Sequence, residues 1–117
     1  MNRKPTNVPQ RPERARQETP LTREAVLRLL AQHREELRRR FRVKSLALFG
    51  SVARNEAGPQ SDVDILVTFE GSVGLFTFVQ LKMYLESVLE HPVDLVTWDA
   101  LRPAMREYVM EELVHAP

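Results

Sequence analysis

Val26, Leu30, His33, Leu37 and Phe41 recur at spacings of three and four, which places them on one face of a helix. Thr22 stands before this run as an N-cap, and the pattern predicts a helix over residues 23–40. Glu24–Arg28, Glu35–Arg39 and Glu36–Arg40 are acid-before-base pairs four residues apart on its outer side. His33 reads as a packed or boundary histidine of the apolar face rather than as a ligand.

Beyond the helix the pattern shortens. Residues 43–49 predict a strand ended by Gly50, and residues 51–54 a short helical turn. Residues 55–60, with Gly58-Pro59, form a turn-rich loop before a second strand over 63–69. Residues 75–89 predict a helix with Phe78, Leu81, Leu85 and Val88 or Leu89 inward, stopped by His91-Pro92. A third strand follows over 93–98, with Asp94, Val96 and Trp98 on one face. Pro103 suits the first turn of a last helix, to about residue 113. Three strands with intervening helices imply an α+β domain of α/β type, a small mixed sheet flanked by helices, over residues 21–117. Residues 1–20, with four prolines and five basic residues and little to bury, read as a disordered Arg/Pro-rich extension.

Three acids interrupt this apolar pattern. Asp62 and Asp64 open the second predicted strand, and Asp94 sits in Val93-Asp94-Leu95-Val96. Strand alternation puts Asp62 and Asp64 on one face, ~7 Å apart. If Asp94 joins them, each pair at ~5 Å and an effective dielectric of ~20 repels by roughly 3 kcal/mol. Such a cluster calls for a divalent cation. Taken singly, Asp62 and Asp64 also fit a polar strand start, and Asp94 a solvent-facing edge acid. Together they offer only hard oxygen donors, which suit Mg²⁺ or Mn²⁺. Two such ions ~3.5–4 Å apart can activate an attacking oxygen and hold a triphosphate. Asp62 and Asp64 would bridge both ions, and Asp94 would hold the one beside the nucleophile and accept its proton. Upstream, Gly50-Ser51 joins a strand to a helix start. Gly50 allows close approach of backbone to a phosphate, Ser51 adds a hydroxyl, and Arg54 one turn on brings a planar cation.

Composition narrows the setting. A chain of 117 residues has room for one domain, and the absence of cysteine removes disulfides and thiolate metal sites. No apolar run reaches the ~18 residues of a membrane span, and the polar N-terminus lacks a signal-peptide core, which points to a cytoplasmic protein without membrane contact. The net charge of +1 hides an asymmetry, +8 over residues 1–44 and −7 over 45–117. The basic half could face nucleic acid or an acidic partner, or simply be solvated. No aromatic stacking platform accompanies it, which argues against nucleic acid as a direct ligand.

Leu48-Phe49-Gly50-Ser51-Val52-Ala53-Arg54-Asn55-Glu56, then Ser61-Asp62-Val63-Asp64-Ile65-Leu66-Val67, resembles the nucleotidyltransferase signature of the DNA polymerase beta superfamily. Pro92-Val93-Asp94-Leu95-Val96 matches its third motif. The stretches beginning at Gly74 and Leu101 are similar to the prokaryotic minimal nucleotidyltransferases, the antitoxin halves of HEPN toxin–antitoxin pairs. The resemblance covers about residues 22–115; Asn55 stands where the family often has Gly. It implies the nucleotidyltransferase fold. It further implies that Gly50, Ser51, Arg54 and Ser61 bind the triphosphate of ATP, and that Asp62, Asp64 and Asp94 hold two metal ions. The activity implied is AMP transfer to a tyrosine of a cognate HEPN ribonuclease, bound as a hetero-oligomer. Because the core uses up the chain, the acceptor pocket is expected to be completed by another protein or subunit, which favours a macromolecular acceptor. Two other readings stand beside this one: a non-catalytic antitoxin that masks its toxin, and a nucleotidyltransferase acting on a small molecule or an RNA end.

Overall fold

A computed structural model describes residues 21–117; the predicted extension lies outside the described residues. Thr22 caps α1 (Arg23–Gln32), its hydroxyl accepting from the Ala25 N–H at 3.1 Å. Thr22→Ala is expected to cost about 1 kcal/mol, read as a fall in Tm of roughly 5 °C by thermal melting.

The predicted single helix is two. The chain breaks at His33 (φ −106, ψ 14) before α2 (Arg34–Phe41). The His33 ring nitrogen lies 2.9 Å from the Leu29 carbonyl, and the His33 N–H is shared between Leu29 and Leu30 at 3.3 and 3.2 Å. Side chain and backbone thus compete for one carbonyl and tighten the turn. His33 is half-buried and meets Tyr84 edge-on, a packing role. The ion pairs also differ from the predicted ones. Glu36–Arg40 forms at 3.2 Å, but Glu35 pairs with Arg38 and Glu24 with Arg23, not with the residues four ahead.

β1 (Val43–Phe49) leads through the one-turn α3 (Gly50–Ala53) to β2 (Val63–Phe69). Then come α4 (Leu75–Leu89), β3 (Val93–Thr97), a 3₁₀ turn (Trp98–Ala100), α5 (Pro103–Glu112) and a two-residue β4 (Val114–His115). The sheet order is β3-β2-β1-β4; β1 runs antiparallel to both its neighbours, and β2 is parallel to β3. β4 was not foreseen, since two residues carry no periodic signal. The third strand stops at Thr97, one residue earlier than predicted. Trp98 turns out of the strand and takes the Arg106 guanidinium 5.6 Å over its ring.

One sheet face is the core. Leu46, Leu48, Val63, Ile65, Val67, Val93 and Leu95 pack with Val26, Leu30, Leu37, Phe41, Leu81, Leu85 and Leu89 of α1, α2 and α4. Each such side chain contributes roughly 1.5–3 kcal/mol by leaving water. Alternation sends Asp64, Leu66, Asp94 and Val96 to the other face. There α5 lies against β1 and α3, with Val109 buried beneath it. No helix among the described residues is long and apolar enough to cross a membrane.

Candidate active site

Register sets the site. Phe49 of β1 pairs with Asp64 of β2, and Asp64 pairs with Asp94 of β3. The end of β1 and the starts of β2 and β3 therefore form one row across the sheet. Asp62 lies just before β2, two residues from Asp64. The three carboxylates are close enough for Asp94 and Asp62 both to act on Asp64. Burial first, then the Asp94 and Asp62 charges, push the Asp64 carboxyl up to about 6. A side-chain hydrogen bond to Asp94 that only protonated Asp64 can donate adds to the shift.

Gly50 belongs to the same corner. Its φ of +76 is left-handed, and a Cβ there would run into Asp64 Oδ2. Only glycine lets the turn close on the acid. Ser51 follows in α3, half-buried. Ser61 closes the turn before the acids, its hydroxyl oxygen accepting from the Gly58 N–H at 3.0 Å. Asn55 holds φ +62, and its Oδ1 accepts from the Arg23 N–H at 3.0 Å, which ties the start of α1 to this loop.

Two groups expected to meet phosphate are engaged elsewhere. The Gly50 N–H donates to Glu112 Oε1 at 3.0 Å, and the Arg54 guanidinium donates to Glu112 Oε2 at 2.6 Å and to Glu56 at 3.0 Å. Glu112 ends α5, and its side chain is 13% exposed. Burial raises its carboxyl, but the Gly50 N–H, then Arg54 and Tyr108, outweigh that and hold it below the ordinary carboxylate range. Sequence reasoning missed Glu112. The available signal was an acid in the last turn of a helix, where the helix dipole disfavours it.

Among the described residues, no three His, Cys, Asp or Glu side chains are drawn together as a ready metal cage. The donor set nonetheless fits a hard divalent cation. Asp94 lies close enough to Asp64 to disfavour its ionised form. A proton relieves this below about pH 6, and a divalent cation would relieve it above. A cavity of about 450 Å³ lined by Leu30, Arg34, Leu37, Lys44 and Ala116 shares no residue with this corner and lies toward the opposite end of β1.

A nucleotidyltransferase domain model matches residues 30–115. The chain is 43% identical over 95 residues to the protein adenylyltransferase MntA of Thermococcus cleftensis, covering 81% of this chain and 96% of that one. A solved structure assigned as a minimal nucleotidyltransferase aligns with a TM-score of 0.68 at 36% identity, over 82% of this chain and 97% of that one. A chain from the complex of tri-AMPylated Shewanella oneidensis HEPN toxin with MNT antitoxin aligns with a TM-score of 0.56 over 78% of this chain and 71% of that one. At 22% identity, that likeness is one of fold.

Proposed function

Because the chain belongs to the nucleotidyltransferase domain family, we propose that it is a protein adenylyltransferase and antitoxin, transferring AMP from ATP to a tyrosine of a cognate HEPN ribonuclease toxin. The carrying observation is the Asp64–Asp94 pair set against the Gly50–Ser51 turn. Ser51 offers its hydroxyl and N–H to the triphosphate; among the described residues neither the hydroxyl nor the N–H has a hydrogen-bond partner outside its own helix. In this reading the phenol oxygen attacks the α-phosphorus, the bond to the β-phosphate oxygen breaks, and pyrophosphate leaves. Asp94, exposed at the start of β3, takes the phenolic proton.

Asp62, Asp64 and Asp94 would hold Mg²⁺ or Mn²⁺, two ions in all. When bound, these supply Lewis-acid polarisation of the phosphate and lower the pKa of the attacking hydroxyl from its usual ~10. The relatives support a protein acceptor: one is named a protein adenylyltransferase, and the Shewanella complex holds an AMPylated toxin beside its antitoxin. So does the surface, where Leu75 and Phe76 at the start of α4 are each 77% exposed. Neighbouring exposed apolar side chains of this kind suit a protein contact.

The test is incubation with ATP, Mg²⁺ and the product of the neighbouring gene, followed by intact mass of both proteins. One or more AMP increments on the partner are expected, located to tyrosine by fragmentation. A chain that relieves toxicity with no modified partner would establish masking instead.

A further inference from the structure

The four residues of α3 that carry Gly50 and Ser51 are too few to hold their own shape. Their support comes from Glu112. Its carboxylate accepts from the Gly50 N–H at 3.0 Å and from Arg54 at 2.6 Å, and the Tyr108 side chain, one turn earlier on α5, helps hold the carboxyl low. Arg54 is clasped from its other side by Glu56 at 3.0 Å. The two hydrogen bonds to this carboxylate offset its unfavourable place at a helix C-terminus. They also leave the Gly50 N–H and the Arg54 guanidinium already engaged.

We infer that Glu112 is a positioning residue of the nucleotide site: it anchors the left-handed Gly50 and turns Arg54 into a strut, so that Ser51 is the donor left to meet the triphosphate. This rests on the nucleotide-site reading above, and it revises the part played by Gly50 and Arg54 in that reading. Glu112 touches Gly50 rather than ATP. Its loss should therefore loosen the turn and weaken nucleotide binding, with little effect on the transfer step once nucleotide is bound.

Three variants test this in the full chain. Glu112→Gln sets an amide donor against the Arg54 guanidinium, which drives the side chain off and takes the acceptor from the Gly50 N–H. Glu112→Asp keeps the charge. Tyr108→Phe removes a hydroxyl that helps hold the Glu112 carboxyl low, from an exposed side chain, and spares the core. Without nucleotide, amide hydrogen exchange at Gly50 should quicken at least about tenfold in Glu112→Gln. The KM for ATP should rise about tenfold in Glu112→Gln and about two- to threefold in Tyr108→Phe, with kcat within about twofold; Glu112→Asp should recover part of the loss. Unchanged exchange at Gly50 overturns the inference whatever ATP does. An equal fall in kcat with KM unchanged overturns it too, by placing Glu112 in the chemistry. A wild type that binds no ATP overturns both this inference and the nucleotide-site reading. Wild-type transfer with unaltered variants overturns this inference alone.

Discussion

Asp64→Asn should abolish AMP transfer, by at least about 10³-fold, while making the metal-free protein more stable. The loss follows from removing an acid at the centre of the row formed by Phe49, Asp64 and Asp94. Metal-assisted charge stabilisation is worth several kcal/mol, and each ~1.4 kcal/mol is tenfold in rate. The gain follows from linkage. Asp64 titrates at about 6 in the fold against an ordinary 3.8, so the folded chain holds this proton more tightly than the unfolded chain does. Below about pH 4 both states are protonated and the site costs nothing. As the pH rises from about 4 to 6, only the unfolded chain releases its proton, and stability falls; above 6 the penalty is complete. The difference between 3.8 and about 6 corresponds to roughly 3 kcal/mol. Asp64 is only half-buried, so solvent screening reduces this to about 1–1.5 kcal/mol. Asn cannot ionise and removes the penalty. Melting curves in chelator from pH 4 to 8 should show wild type losing stability across that window and the variant losing less. Adding Mg²⁺ above pH 6 should raise the wild-type Tm and leave the variant where it was. A variant no more stable than wild type at pH 7.5 would show that ionised Asp64 carries no penalty in the fold.

Gly50→Ala should be the most damaging single-methyl change in the chain. The left-handed φ of +76 costs an L-residue about 1–2 kcal/mol, and the added methyl collides with Asp64 Oδ2 at a cost of about 1–3 kcal/mol. Together these predict a Tm lower by more than about 10 °C. Transfer should be lost as well, because the carboxylate must move from its place beside Asp94. Gly58→Ala is the control. Nothing lies within 4 Å of a Cβ there, and its effect should stay within about 0.5 kcal/mol. Equal melting temperatures for the two variants would exclude the close approach of Gly50 to Asp64.

Much of this corner was legible in advance because its parts are local. A strand broken by Gly50-Ser51, and acids at alternate positions of an apolar run, are visible within a few residues, and strand alternation places the acids on one face. The site's support was not legible. Glu112 reaches Gly50 across sixty-two residues, and such a contact leaves no periodicity to read. The same is true of β4, two residues held by pairing with Ala47 and Leu48. His33 hid for another reason. It keeps the helical spacing of the apolar face, and only its bond to the Leu29 carbonyl shows that the helix ends there. Arg54 stands one turn after a phosphate-like loop, and its pairing with Glu56 and Glu112, the second fifty-eight residues away, leaves no local signal to read.

The distance between Gly50 and Glu112 also has a consequence in time. Translation supplies β1, β2 and β3 first, and these strands with α1, α2 and α4 already contain the main core. The anchor of the Gly50 turn arrives sixty-two residues later. At about 5–20 residues per second, that is a delay of about 3–12 s. The core is complete in the chain once β3 has been made at Thr97, so for the last fifteen residues of that interval, about 1–3 s, a nascent chain can be folded in its core while its Gly50 turn is still unbraced. An antitoxin built this way would become competent only once α5 has left the ribosome, so a ribosome stalled before Glu112 would yield a chain with a core and no finished site.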